Sequence, residues 1–274
     1  MKRWLASFVI AMIPLGGAAT EITPEALEML PPADVVILGE VHDNPVHHAN
    51  QARAVRALAP RALVFEMLTP EQAAAGASAP RTDADALSQA LGWEGSGWPS
   101  FTLYHPMFMA APEARIYGGA LPRDEVRRAM QDGAAAVFGE DAATYGLARP
   151  LPDREQDLRE QEQFAAHCAA LPRDMLPGMV EAQRLRDAAL ARAALQAMEQ
   201  TGGPVAVITG TGHARRDWGI PAKLARVAPG LSVLALGQFE GAPEADPPFD
   251  LWIVTDAPER EDPCASFGPF GGSG

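Results

Sequence analysis

Val35–Asn44 reads VVILGEVHDN, and this stretch decides how the chain folds. Four apolar residues end at Gly39, and two acids, a histidine and an asparagine follow within five positions. The pattern predicts a buried strand that runs into a loop and then into a helix. In open α/β sheets, the loops beyond the carboxyl ends of the strands line the ligand-binding crevice. We therefore expect Glu40 and His42 to lie in such a crevice.

A second segment, Val205–His213, reads VAVITGTGH and repeats this design near the other end of the chain. Both segments are apolar runs followed by Gly-x-x-His. Arg61–Met67 is a third apolar run, and it contains an acid, Glu66, near its end. A predicted helix with Asn44 as its N-cap connects the first run to this one, and strand, helix and strand with short links predict a parallel unit. The polar ends of all three runs should therefore meet at one edge of the sheet.

The rest of the chain predicts an α/β fold with a mostly parallel central sheet, flanked by helices and interrupted by a helical insertion. Its 274 residues, 47% of them hydrophobic, can bury a sizeable core. Further strands are predicted at Ala114–Gly119, Leu231–Leu236 and Phe249–Val254. The predicted organisation is a signal peptide (1–19), an α/β domain (20–256) with a helical insertion at about 70–112 and 133–200, and a flexible C-terminal tail (257–274).

The first 19 residues have the features of a secretory signal peptide. A basic start, Met1–Arg3, is followed by a mostly apolar stretch and then by small residues at Gly16–Ala19. No cysteine lies near that position, so we expect no lipoprotein anchor and a periplasmic or secreted protein. Cleavage removes the positive charges of Lys2 and Arg3, which changes the formal net charge from −13 to −15. Such an acidic chain is not expected to bind nucleic acid or anionic membranes.

The chain has two cysteines, Cys168 and Cys264. In an oxidising compartment they could form a disulfide, as exported proteins commonly do. Cys168 could equally be a buried apolar residue. The sequence leaves both alternatives open.

Two predicted helices carry rows of side chains that are either structural or functional. Around Tyr104 and His105, aromatic residues at i, i+3, i+4 and i+7 share one face. That row is typical of a core stripe, and the alternative is an aromatic pocket in which Tyr104 or His105 reaches a metal. A second row, within Met179–Met198, is either a solvated face or the lining of a cleft. Its members are Gln183, Arg186, Asp187 and Leu190.

The polar strand ends allow two kinds of chemistry. The candidate residues are Glu40, His42, Glu66 and His213. Together they could hold a divalent metal with an open coordination position, or they could act as acid and base in hydrolysis. Gly210–Gly212 is not a dinucleotide-binding loop, because the third glycine of that motif is missing. A third hypothesis is that the histidines are structural and the protein is an interaction module.

Five motifs, in this order, resemble those of the ChaN-like haem-binding proteins of the Tiki/TraB/erythromycin-esterase superfamily. They are LGEVHDN from Leu38, FEM from Phe65, GWP from Gly97 with Tyr104-x-Pro106, AQxxRD from Ala182, and ITGxGH from Ile208. The resemblance runs from about Ala33 to Leu236. It implies an exported α/β protein of haem or iron uptake. Related branches are metal-dependent proteases and esterases, whose functional residues match the four candidates above.

The resemblance also implies haem as the ligand, held by a tyrosine. The tyrosines of the chain are Tyr104, Tyr117 and Tyr145. The haem-binding candidates are Tyr104, His105, His167, Gln183, Arg186 and Asp187. Haem propionates need cations, and the available arginines are Arg123, Arg127, Arg128, Arg184, Arg186, Arg215 and Arg216. A homodimer formed on haem binding and an outer-membrane haem-uptake system are the expected partners.

Overall fold

The computed structural model of the protein describes residues 19–243 and 246–266. The predicted signal peptide lies outside the described residues except for its last position. The α-helices are α1 (Pro45–Leu58), α2 (Pro70–Ala75), α3 (Ala84–Ala90), α4 (Phe101–Ala110), α5 (Arg123–Asp132), α6 (Ala134–Phe138), α7 (Asp153–Ala166), α8 (Leu176–Thr201) and α9 (Ile220–Val227). The strands are β1 (Thr20–Glu21), β2 (Val35–Glu40), β3 (Ala62–Phe65), β4 (Arg115–Gly118), β5 (Val205–Gly210), β6 (Val233–Glu240) and β7 (Leu251–Thr255).

The strands form one sheet in the order β1-β7-β6-β2-β5-β3-β4, and every pair is parallel. The predicted α/β fold is confirmed, and the described sheet is parallel throughout rather than mostly parallel. β2 and β5 lie side by side, with Val35 opposite Val205 and Glu40 opposite Gly210. Strands that are buried on both faces have continuous apolar sequences, and for this reason β2 and β5 could be predicted from the sequence. The two residues of β1 are exposed and offer no such run.

Two apolar cores cover the two faces of the sheet. Val36 and Leu38 face one core with α1 and α4, whereas Val35 and Ile37 face the other with α8. All four side chains are fully buried. Alternate residues of a strand point to opposite faces, so the apolar run of β2 contributes to both cores. The position of β2 at the centre of the sheet follows from this double burial.

Capping groups fix where the two long helices beside the site begin or end. The side chain of Asn44 accepts hydrogen bonds from the N–H groups of Val46 (2.9 Å) and His47 (3.3 Å), which starts α1 as predicted. α8 has 26 residues and ends at Gly202, whose φ of 73° lies in the left-handed region. Pro177 lies in the first turn of α8, where proline is tolerated, and it therefore starts the helix instead of interrupting it.

The aromatic row of α4 belongs mainly to the core. Phe108 stacks on Phe65 of β3 with ring centroids 4.5 Å apart and an interplanar angle of 9°. Phe101 packs against the same ring of Phe108 at 5.6 Å. The structural alternative for this row is therefore the observed one for its phenylalanines. Tyr104 is the exception, because its hydroxyl group reaches a polar residue at the sheet edge.

The chain beyond β7 is attached to the domain at several described points, the first of which is a hydrogen bond from Asn44 Nδ2 to the carbonyl of Asp256 at 3.1 Å. Cys264 forms a disulfide with Cys168, with the Cα atoms 5.4 Å apart. Arg260 forms ion pairs with Asp43 and Glu240. Residues 267–274 of the predicted flexible tail lie outside the described residues, and the domain boundaries stay predictions. None of the helices that the structure describes is both long and apolar enough to cross a membrane.

Candidate functional site

The polar residues at the carboxyl ends of β2, β3 and β5 meet at one edge of the sheet. Glu40 ends β2 opposite Gly210, which ends β5. Glu66 follows β3 directly, and its N–H donates to the carbonyl of Ile208 at 3.0 Å. Because parallel strands end on the same side, their terminal side chains lie close together. The structure thus brings Glu40, His42, Glu66 and His213 together, while their roles stay predictions.

Glu40 and His42 form a carboxylate–imidazole pair. His42 Nδ1–H donates to Glu40 Oε1 at 2.8 Å, and the hydroxyl of Tyr104 donates to the same oxygen at 2.9 Å. Burial opposes the charge on His42, but the bond to Glu40 and the negative charge of Glu66 outweigh it and raise the pKa of the imidazole. The ring also packs edge-on against Trp98, with centroids 4.8 Å apart. His42 is therefore held in one orientation, with its Nε2 nitrogen unbonded to Glu40.

Glu66 is the buried anion at the centre of the site. Its Oε2 atom accepts hydrogen bonds from the hydroxyl of Thr209 (2.7 Å) and the N–H of Gly210 (2.8 Å). Its Oε1 atom lies 3.4 Å from His213 Nε2. Burial alone would raise the pKa of Glu66, but the charge and hydrogen bond of His213 hold it well below its ordinary value. Glu66 is thus an ionised carboxylate at neutral pH.

His213 lies between two carboxylates. Its Nδ1–H donates to Asp187 Oδ1 at 2.6 Å, while its Nε2 faces Glu66. Burial opposes protonation, yet Glu66 and Asp187 together raise the pKa of His213 to about 10. Gln183 Nε2 also lies 3.2 Å from His213 Nδ1. At neutral pH His213 is therefore a buried imidazolium that neutralises part of its acidic surroundings.

The row on α8 lines this cleft. Gln183 and Asp187 contact His213, and Arg186 and Leu190 form part of the wall of a cavity of about 320 Å³ beside Glu66. Trp98 and Arg123 complete the opposite side of that cavity. Of the two alternatives for the row, cleft lining is the one that the structure shows. The alanines of α8 are small enough to let the helix pack closely on the sheet.

Two residues of the site were not predicted from the sequence, and a different contact was predicted for a third. Asp187 was expected to contact haem, but it is the second partner of His213. His48 Nδ1 lies 3.3 Å from Glu40 Oε2, and Thr209 binds Glu66. His48 lies one residue after the first turn of α1, and Thr209 immediately precedes the Gly-x-x-His loop. Position next to the motif was the available signal for both.

The remaining haem-binding candidates do not converge. Tyr104 is fully buried, and burial together with Glu40 raises the pKa of its phenol well above the ordinary range. His105 Nε2 is hydrogen-bonded to the carbonyl of Arg81 at 2.7 Å. His167 ends α7, where its Nδ1 binds the carbonyl of Gln163 at 2.7 Å. The structure therefore distributes these three side chains over three separate environments.

The metal prediction finds no support in the geometry. Within residues 19–243 and 246–266, no three His, Cys, Asp or Glu side chains are arranged to hold a metal ion. The candidate ligands are instead paired with one another: His42 Nδ1 bonds to Glu40 Oε1 at 2.8 Å, and His213 Nε2 lies 3.4 Å from Glu66 Oε1. A divalent ion needs these lone pairs directed at one point. As arranged, the residues do not fit a metal centre.

What the arrangement offers chemically is one accessible base beside a fixed charge pair. The side chain of His42 is 34% exposed, whereas that of His213 is 6% exposed. A histidine that donates Nδ1–H to a carboxylate keeps Nε2 available as a proton acceptor. Glycine at position 210 also lets His42 lie close to the end of β5, since a Cβ atom on Gly210 would lie 3.0 Å from His42 Nε2.

Comparison with known proteins adds a family and a fold. A family model described as haem-binding uptake, Tiki superfamily, ChaN matches residues 26–224. A solved structure titled cofacial heme binding to ChaN of Campylobacter jejuni is 21% identical, covers 81% of this chain and 87% of that one, and has a TM-score of 0.60. At this identity the likeness concerns the fold.

Two further solved structures have TM-scores under 0.5. The type III effector HopBA1 is 13% identical, with 82% of this chain and 88% of that one covered and a TM-score of 0.43. A protein from Bacillus cereus is 14% identical, with 79% and 69% covered and a TM-score of 0.45. No curated protein matches the chain.

Proposed function

The chain belongs to the haem-binding uptake family of the Tiki superfamily, and on that premise we propose that it is an exported protein that binds haem for iron uptake. The observation that carries the proposal is the match of the family model over residues 26–224, which includes the polar cleft and most of the sheet. Haem supplies iron and a flat apolar ring. The protein must supply an axial ligand, an apolar surface and cations for the propionates.

Tyr117 is the axial ligand that the geometry favours among the tyrosines. Tyr104 and Tyr145 are buried, whereas Tyr117 is half-buried on β4, the edge strand of the sheet. Burial raises the pKa of the Tyr117 phenol above its ordinary value, and Arg115, whose guanidinium lies 5.4 Å from the ring centroid, offsets part of this effect. The hydroxyl donates to Gln200 Oε1 at 3.1 Å, a bond that iron ligation would replace. Arg115 thus favours the phenolate form that iron binds.

The surroundings of Tyr117 fit an amphiphilic dianion. A cavity of about 560 Å³ along the edge strand is lined by two arginines, Arg81 and Arg115, one carboxylate, Glu113, and mainly neutral residues that include Ala73, Ile116 and Tyr117. Ligand pockets usually have volumes of about 300–1,000 Å³. Arginine side chains pair well with carboxylates, so Arg81 and Arg115 are candidates for the propionates. We call this the edge cavity.

Hemin titration of the purified protein tests haem binding. We expect a Soret shift that saturates at a fixed stoichiometry, and absence of a saturable shift would contradict the proposal. Tyr117→Phe should weaken binding by about tenfold or more, which is about 1.4 kcal/mol. The matched control is Tyr145→Phe, which removes the same atom from a buried tyrosine. If only His167→Ala or His105→Ala changes the spectrum, haem binding stands and the ligand assignment is wrong.

Export and dimerisation are separate parts of the proposal. The disulfide between Cys168 and Cys264 supports export, because disulfides persist mainly in oxidising compartments. N-terminal sequencing of the protein from the periplasm or medium should give a start near residue 20, and retention in the cytoplasm would contradict export. A flat ligand at a sheet edge can be shared by two copies, so sizing with and without hemin should show a haem-dependent dimer.

A second candidate function, hydrolysis without a metal, is favoured by the Glu40–His42 pair. Glu40 orients the imidazole so that His42 Nε2 can remove a proton from water at the cleft. An ester-substrate screen should find activity that persists in a chelator and is lost in His42→Ala. His167→Ala is the control for loss of a histidine elsewhere. Activity that survives in His42→Ala, or that the chelator abolishes, would rule out this mechanism.

A further inference from the structure

The cavity beside Glu66, which we call the cleft cavity, carries more positive than negative charge on its wall. Its lining includes two guanidinium groups, Arg123 and Arg186, and one carboxylate, Glu66. Glu66 lies 3.4 Å from His213 and shares that imidazolium with Asp187, so its charge is compensated in part by the protein itself. The rest of the lining is neutral and includes Met67, Trp98 and Leu190. A cationic cavity stands out in a chain whose formal net charge is −13.

Arg186 is the central observation. It is half-buried in the cleft-lining row of α8. The other polar members of that row, Gln183 and Asp187, already contact His213. Within the described part of the chain, no hydrogen bond or ion pair engages its guanidinium, whereas Arg184 on the same helix binds Glu181 and three carbonyl groups. A half-buried arginine that faces a cavity without an acidic partner has binding capacity left for a ligand.

Arg123 is positioned at the mouth of the same cavity. Its Nη2 donates to the carbonyl of Ser96 at 2.5 Å, which holds the guanidinium against the loop that carries Trp98. Gly97 has a φ of 89°, and a Cβ atom there would lie 2.8 Å from Arg123 Nη2. Glycine at position 97 therefore permits this approach, and the remaining N–H groups of Arg123 are available to a ligand.

We propose that the cleft cavity binds a compact oxyanion, a carboxylate or phosphate group of a small molecule, between Arg186 and Arg123. Guanidinium groups match both oxyanions through paired N–H donors, and a partly enclosed cavity strengthens the interaction relative to open water. At about 320 Å³ the cavity suits a small ligand. This site is distinct from the edge cavity proposed for haem, and it places the anion beside Glu66 and Trp98.

Anion titration of the full mature protein tests this proposal without haem. Thermal melting and calorimetry with inorganic phosphate and with acetate, against chloride at equal ionic strength, separate binding from charge screening. We expect saturable stabilisation by at least one oxyanion beyond that of chloride. The stronger of the two probes identifies the group as phosphate or carboxylate. Equal effects of phosphate, acetate and chloride would overturn the proposal.

Substitutions locate the site. Arg186→Gln and Arg123→Gln should each weaken anion binding by about tenfold or more, corresponding to loss of one charge-assisted contact. Arg127→Gln is the matched control, because Arg127 is exposed on the same helix as Arg123 and does not line the cavity. Equal losses in Arg127→Gln, or none in Arg186→Gln, would overturn the assignment. If Arg186→Gln does not fold, Arg186→Lys replaces it in the test. Lysine keeps the positive charge without the planar guanidinium group, so this variant should bind the anion with intermediate affinity.

Hemin titration of the same variants distinguishes this site from the haem proposal. Arg186→Gln should lose oxyanion binding and keep hemin binding. If it loses hemin affinity as well, a haem propionate enters the cleft and the claim of a separate ligand fails. A protein that binds phosphate through Arg186 but never binds hemin would refute the haem proposal and leave the cleft site intact.

Discussion

The two Gly-x-x-His loops have the same motif and opposite environments. Gly39 and Gly210 end neighbouring central strands, yet His42 is partly exposed and keeps Nε2 free of Glu40, whereas both ring nitrogens of His213 face carboxylates. In both loops Nδ1 bonds to a carboxylate, that of Glu40 for His42 and that of Asp187 on α8 for His213, and the difference lies at Nε2, which in His213 is 3.4 Å from Glu66. The same local sequence thus gives an accessible base in one loop and a structural charge in the other.

Removal of the Asp187 carboxylate should have the largest effect on the free energy of unfolding. Asp187→Ala leaves the buried imidazolium of His213 with one partner, and loss of one member of a buried pair costs about 3–5 kcal/mol. We expect the free energy of unfolding in urea to fall by that amount. Glu40→Gln, which keeps the shape at the other histidine, is the comparison and should cost less. A loss below about 1 kcal/mol for Asp187→Ala would mean that His213 is not held as an ion, because exposed pairs contribute only this much.

The pH dependence of stability should come mainly from His213. Its pKa of about 10 in the folded protein exceeds the ordinary 6.5, so its contribution is fully present below pH 6.5 and is lost as pH rises towards 10. We expect a loss on the order of 2–3 kcal/mol, because the bond from Nδ1–H to Asp187 survives deprotonation. Urea unfolding from pH 6 to 10 measures it. His213→Gln should flatten this profile, and an unchanged slope in that variant would assign the effect elsewhere.

The pKa of Glu66 has the opposite consequence. It is lowered in the folded protein, so stability from this carboxylate is present above its ordinary pKa of 4.5 and is lost as pH falls further. The pair should therefore be most stabilising between about pH 4.5 and 6.5.

The two motif glycines should differ in their tolerance of a methyl group. A Cβ atom on Gly39 would lie 2.8 Å from the backbone carbonyl of Leu236, so β2 or β6 must shift. On Gly210 it would meet the side chain of His42 at 3.0 Å, which can move. We expect Gly39→Ala to cost about 2–3 kcal/mol and Gly210→Ala about 1 kcal/mol, measured by urea unfolding. Equal costs would show that His42 is as rigid as a strand.

Substitution of His42 should have the smallest effect on stability. Because His42 is partly exposed, His42→Ala should change the free energy of unfolding by about 1 kcal/mol or less. The same variant should leave hemin binding unchanged and abolish any hydrolysis at the cleft. A destabilisation comparable to that of Asp187→Ala would mean that the two loops are equivalent after all.

The sequence predicted the fold and the location of the cleft for identifiable reasons. β2, β3 and β5 are apolar runs with acids or glycines at their ends, and parallel strands with short links must end on one side. Glu66 could therefore be placed beside Glu40 and His42 from strand order alone. The row from Gln183 to Leu190 was recognised by its helical spacing, but whether it faced solvent or the cleft was open. The docking of α8 on the sheet decides that.

The sequence failed where a role depends on contacts between distant segments. Asp187, a haem-binding candidate, is hydrogen-bonded to His213, and the four candidate metal ligands form two carboxylate–histidine pairs, Glu40–His42 and Glu66–His213. Residue type and spacing identify which groups can bind a proton or an ion. They do not identify which two groups form a contact, because that depends on the packing of the helices to within about 1 Å.

Local sequence patterns predicted an α/β fold with a mostly parallel sheet, the carboxyl edge as the polar site, and the family that the chain resembles. Tertiary structure alone decided that His213 is buried between two acids, that Tyr104 supports Glu40, and that Arg186 faces the cleft cavity. Periodicity and turn residues are local properties that act along the chain. Charge pairing and exposure depend on the packing of α8 and α4 against Val35–Glu40 and its neighbouring strands, and distances between atoms settle them.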